Sequence, residues 1–150
     1  MANPITPKMK TGTIGELLVQ LRLLQYDIQA APPIKDSGND LIAVKGWVFK
    51  TIQVKTSAQG KFKLRGLKRK KYHILALVNL NGENRMLYLD KSKIFLIPKK
   101  EVNDKASYTL YELENMDIEL TSSRLNKLFK GNSGDSIPHG IRCNPRHTTG

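Results

Sequence analysis

The chain carries a single cysteine, Cys143, among its 150 residues. One thiol cannot form an intrachain disulfide, so no disulfide framework holds this fold. Acidic residues are scarce: 13 Asp plus Glu stand against 25 Lys plus Arg, a formal net charge of +12. Long apolar runs are absent too. The longest, near Ile74–Val78 and Ile94–Pro98, fall far short of the roughly 20 residues that a membrane-spanning helix needs. Met1–Lys10 has no apolar core of the signal-peptide kind. No internal repeat, Walker loop or Rossmann fingerprint occurs. The expectation is a soluble, cytoplasmic protein with no membrane partner.

What is present fits one domain over residues 1–150. A hydrophobic content of 39% suffices for a single core in a chain of this length. The basic excess favours a polyanionic partner, and nucleic acid is the first expectation. A membrane surface is second, but no basic amphipathic helix stands out.

Residues 1–10 contain two prolines and read as a loose arm. Thr13–Tyr26 reads as a helix, because Ile14, Leu17, Leu18, Leu21 and Leu24 form one apolar stripe. Thr13 and Glu16 have capping-box spacing. Asp27–Ala31 reads as a strand ended by Pro32-Pro33. Asp36, within Asp-Ser-Gly-Asn, is first a turn residue and only secondarily a site candidate. Tyr72–Leu80, Met86–Leu89 and Ile94–Ile97 read as strands, with a hairpin turn expected at Asn81-Gly82. Ser122–Lys130 reads as a short helix capped by Ser122 or Ser123 and ended by Gly131.

The informative stretch is Asp40–Thr56. Leu41–Val44 and Trp47–Thr56 are β-prone runs on either side of Lys45-Gly46, a hairpin pattern. A two-residue turn at Lys45-Gly46 sets Asp40 opposite Thr51. Side chains alternate between faces along a strand, so Asp40, Gln53 and Lys55 share a face, with Asp40 and Gln53 diagonal neighbours. Any even-length turn keeps that parity.

An acidic residue, a hairpin and then Gln53-Val54-Lys55 resembles the PD-(D/E)XK nucleases. With Gly15-Glu16 in a first helix ahead of it, the layout looks closest to the intron-encoded homing endonucleases of that superfamily. The resemblance covers residues 11–56. It implies a restriction-endonuclease-like α/β (α+β, mixed-sheet) fold and magnesium-dependent, site-specific hydrolysis of double-stranded DNA. It also implies roles: Asp40 and Glu16 as metal carboxylates, Lys55 as the cation beside the attacking water, and Gln53 where Asp or Glu is usual. Glu16 keeps two readings, metal ligand or helix cap. A homo-oligomer, a tetramer rather than a dimer, is implied as well. The alternatives are a Holliday-junction-resolvase-like nuclease and a non-catalytic basic nucleic-acid-binding protein.

Lys61, Lys63, Arg65, Lys68, Arg69, Lys70 and Lys71 put seven basic residues within eleven positions, directly after Lys55. Phe62, Leu64 and Leu67 interleave with them, which implies an ordered ribbon set against DNA phosphates. Arg85 is either a DNA contact or a plain surface residue. Residues 101–119 hold much of the acidic charge and are expected to face away from DNA. Within them Tyr108, Leu110, Tyr111, Leu113 and Met116 serve either a core or a subunit interface. The polar tail, 132–150, spaces His139, Cys143 and His147 four apart. Pro138, Gly140 and Pro145 break any helix there and zinc lacks a fourth ligand, so the tail reads as a DNA-contacting or unstructured segment.

Overall fold

The computed structural model describes residues 5–102 and 106–131. The chain is a mixed α+β protein. It opens with helix α1 (Pro7–Leu24), followed by strands β1 (Gln29–Ala31), β2 (Leu41–Lys45) and β3 (Val48–Ser57). A crossover with short strand β4 (Lys61–Lys63) and a 3-10 turn at Leu67–Arg69 leads to β5 (Ile74–Asn79). Then come β6 (Gly82–Glu83), β7 (Met86–Leu87), β8 (Lys93–Pro98), β9 (Ser107–Thr109), α2 (Leu110–Glu114) and α3 (Ser122–Leu128). Five strands form the main sheet in the order β1-β2-β3-β5-β8. All its pairings are antiparallel except β3 with β5, at its centre. A parallel pair needs a long crossover, and here the basic stretch is that crossover.

The sheet is covered on both sides. Leu41, Ala43, Ile52, Val54, Ile74, Ala76, Val78, Ile94 and Leu96 pack with Leu18, Val19 and Leu23 of α1 and with Leu125 and Phe129. The alternate residues Leu75, Leu77, Phe95 and Ile97 meet Phe62, Leu64 and Leu67 of the crossover, with Tyr108, Leu113 and Ile118. β5 is therefore buried on both faces, which is why Ile74–Val78 is a continuous apolar run. Each fully buried Leu or Ile contributes about 1.5–3 kcal/mol by leaving water. The free edge of β8 is covered where Leu96 N–H donates to Ile118 O and Leu120 N–H to Ile94 O, both at 2.8 Å.

Several sequence expectations need correction. The first helix starts at Pro7, not Thr13, so residues 7–10 are helical rather than a loose arm. Thr6 is its N-cap, accepting from Met9 N–H, and Pro7 takes the first helical turn. Thr13 and Glu16 thus lie inside the helix and make no capping box; Thr109 and Glu112 make one, at the start of α2. The buried face of α1 is Gly15, Leu18, Val19 and Leu23, whereas Leu17, Leu21 and Leu24 of the expected stripe are exposed. The first hairpin turns at Gly46-Trp47, one residue later than expected, with Lys45 opposite Val48 and Gly46 at φ +58°. The second turns at Asn84-Arg85, both at positive φ as a type I′ turn requires, not at Asn81-Gly82. Thr121, not Ser122 or Ser123, caps α3. Tyr108 and Leu113 are core residues, while Tyr111 and Met116 are exposed. The tail from 132, with His139, Cys143 and His147, lies outside the described residues.

Helix α1 approaches β3 with almost no gap. A Cβ at Gly15 would sit 1.8 Å from Thr56 Oγ1, whereas one at Gly12 would meet nothing within 4 Å. Gly15→Ala is therefore expected to destabilise the fold by about 1–3 kcal/mol through overpacking. Gly12→Ala should stabilise it by up to about 1 kcal/mol through helix propensity. Thermal unfolding of the two variants checks this; an unchanged midpoint for Gly15→Ala would contradict the close approach.

Candidate active site

β3 outruns β2. The ladder between them starts at Leu41 opposite Ile52, so β3 from Gln53 onward has no β2 partner. Asp40 fills the gap. Its backbone N–H donates to Ile52 O at 2.9 Å, and its carboxylate Oδ2 accepts from Val54 N–H at 2.7 Å. The same oxygen accepts from the side-chain amide of Gln53. With the turn one residue later, the ladder ends at Leu41 opposite Ile52, and Asp40 meets Gln53 through its side chain. Because the shift changes the pairing by an even number, the face parity of β2 and β3 is as expected.

Gln53 and Lys55 stand beside Leu75 and Leu77 in the parallel ladder and share their face of the sheet. Gln53 is only 2% exposed. Its amide nitrogen is committed to Asp40, and its Oε1 has no hydrogen-bond partner among the described residues. A buried amide oxygen left unpaired costs about 1–3 kcal/mol, a cost that a ligand on that oxygen removes.

Glu16 lies on α1, which covers the opposite face of the sheet and meets β3 where Gly15 approaches Thr56. Burial raises its carboxyl above the usual range, and the nearby Asp40 charge raises it further. The two like charges repel. Lys55 is half-buried; burial lowers its ammonium, Lys70 and Lys8 lower it further, and Asp40 opposes them. The arrangement is an oxygen-only set of two carboxylates and one amide oxygen with an amine alongside, chemistry suited to a hard divalent cation and an anionic substrate. Among the described residues no group of three or more His, Cys, Asp or Glu side chains is placed to hold a metal. This site has two such acids and an amide.

The other predicted residues are dispersed. Asp36 accepts from Gly38 N–H at 3.0 Å, the turn role preferred for it. Lys61 and Lys63 are exposed on either side of buried Phe62 on β4, and Arg65, Lys68, Arg69 and Lys71 are exposed along the crossover. The crossover is thus the ordered ribbon that its apolar residues imply. Lys70 is half-buried, and Lys99 Nζ donates to its carbonyl. Arg85 is exposed at φ +67° in the hairpin loop. The sequence reading missed Lys8, although Thr6-Pro7 is a helix-start signature that places it on α1. It also missed the fit of Gly15 to Thr56, which depends on a distant strand.

No protein-family model matches the chain, and no curated protein matches its sequence. The fold is similar to that of a solved structure described as a bacterial homing endonuclease, I-Ssp6803I. The TM-score is 0.53 over 79% of this chain and 84% of that one, at 15% sequence identity. At that identity the likeness is one of fold. Among the described residues no helix is long and apolar enough to cross a membrane.

The Glu16 carboxyl gives a pH-dependent prediction. A carboxyl raised in the folded state costs stability once ionised. That cost is absent below its ordinary value of 4.5 and complete above its raised value. Glu16→Gln, in metal-free buffer, should therefore raise the thermal midpoint at neutral pH, and the gain should vanish below pH 4.5. A variant destabilised at neutral pH without metal would contradict a Glu16 carboxyl raised by burial and by the Asp40 charge.

Proposed function

We propose that this chain is a divalent-metal-dependent DNA endonuclease of the PD-(D/E)XK kind, acting on specific double-stranded sites as an intron-encoded homing endonuclease. The observation that carries the reading is the buried Oε1 of Gln53, without a partner among the described residues, on a side chain bonded to Asp40, a carboxylate whose charge also reaches Glu16. A cation would relieve both an unpaired amide oxygen and the repulsion between two carboxylates. The donor set fits magnesium, which takes oxygen ligands, few carboxylates and several waters. Magnesium bound there supplies a Lewis acid for a phosphodiester oxygen.

The remaining roles belong to the chain. Asp40 and Glu16 provide the negative charge of the site. Gln53, oriented by its bond to Asp40, offers a neutral oxygen where the wider superfamily has an acid. Lys55, partly desolvated, stands as the cation for the attacking hydroxide and the charge developing on phosphorus. The fold likeness to a homing endonuclease, the +12 net charge and the basic crossover after Lys55 support DNA as the substrate. A double-strand break needs two such sites, which supports assembly into a homo-oligomer, a tetramer being favoured over a dimer.

Cleavage of a random-site duplex library with magnesium tests the reading. Asp40→Asn and Lys55→Ala should each lower cleavage by about 10²-fold or more while leaving DNA binding largely intact. Near-wild-type cutting by either variant would remove that residue from the site. Light scattering should give a mass above that of one chain, free or DNA-bound. A monomer in both states would contradict the oligomer.

A further inference from the structure

The sequence points to one basic surface, the crossover. The structure holds a second. A groove of about 600 Å³ opens where α3 meets the start of β5 and the end of β8. Lys50, Lys100, Lys127 and Lys130 line it, from three separate parts of the chain. No hydrogen bond or ion pair among the described residues engages their ammonium groups. Glu101, the one acid lining the groove, is 3.9 Å from Arg124, whose guanidinium also donates to Leu96 O at 3.1 and 2.7 Å.

His73 completes the lining. Its Nδ1 accepts from Thr51 N–H at 3.0 Å, which leaves the ring proton on Nε2. Burial and Lys50 both lower its pKa, so the neutral ring is favoured. Apart from the apolar Ile74, Pro98 and Leu128, the groove is thus lined mainly by cationic and neutral donors, with Glu101 as its acid. Base edges mix donors and acceptors, whereas a phosphodiester backbone offers acceptors alone. A cavity beside the crossover, lined by Arg65, Lys68 and Arg69 among others, adjoins this groove through two shared residues, Tyr72 and Lys99.

We propose that this α3 groove is a second, sequence-independent track for the phosphate backbone of duplex DNA, extending the footprint beyond the crossover. The proposal rests on the DNA-endonuclease reading. It adds a separate binding surface to it, with a readout that does not involve cleavage.

The test is salt-dependent binding of a labelled random-sequence DNA duplex to the full chain, followed by fluorescence anisotropy. In the triple variant Lys100→Gln, Lys127→Gln, Lys130→Gln, the slope of log K against log salt should fall by about 0.9 for each phosphate that is no longer neutralised. The corresponding Lys→Arg triple should keep the wild-type slope, and the thermal midpoint of both should be unchanged, since these side chains are exposed. A wild-type slope in the Gln triple, while a variant neutralised at Lys68, Arg69, Lys70 and Lys71 has a reduced slope, would overturn the second track and leave the endonuclease reading standing. A Gln triple that binds duplex RNA more weakly while its DNA binding is intact would overturn it as well. Failure of the wild-type chain to bind duplex DNA at all would overturn the endonuclease reading, and the groove's role with it.

Discussion

The site depends on one carboxylate that stands in for a strand. Where β2 stops pairing with β3, the backbone N–H of Val54 would face outward without a ladder partner. Asp40 Oδ2 takes it, and takes the Gln53 amide at the same time. This bond ends the β2–β3 ladder, fixes the orientation of Gln53 and leaves its Oε1 buried without a partner. Everything proposed for the chemistry follows from that arrangement. The Asp40 carboxylate and the Gln53 amide are bonded to each other where the β2–β3 ladder ends, on a central strand of the sheet.

The second constraint is the fit of α1 to β3. A glycine at 15 lets the helix lie against Thr56. Glu16, the next residue, is brought near enough to Asp40 for the two charges to interact, and Lys8 of the same helix near enough to act on Lys55. The site therefore joins the first helix to the central strand, with Lys70 adding charge from the crossover. The crossover itself has two tasks. Its apolar residues seal one face of β5, and its basic residues other than half-buried Lys70 are exposed.

Much of this was legible in the sequence, for identifiable reasons. The strand periodicity of Leu41–Thr56 puts Asp40, Gln53 and Lys55 on one face whatever the placement of an even-length turn, so the grouping survived a turn misplaced by one residue. The continuous apolar run at Ile74–Val78 announced a doubly covered strand. Other features were not legible. Leu17, Leu21 and Leu24 keep helical spacing as well as the buried residues do, and only packing against the sheet selects Leu18, Val19 and Leu23. Asn81-Gly82 has hairpin chemistry, yet the pairing of β6 with β7 sets the loop at Asn84-Arg85. The α3 groove draws its lysines from positions 50, 100, 127 and 130, a separation that no local charge pattern reveals.

Anomalous scattering from crystals of the chain soaked in manganese, a stand-in for magnesium with the same preference for oxygen ligands, tests the central claim most directly. The account predicts one strong peak at the Asp40 carboxylate, within ligating reach of Glu16 and of Gln53 Oε1. A map with no peak at this site, or with one that leaves Gln53 Oε1 unbonded, would contradict it.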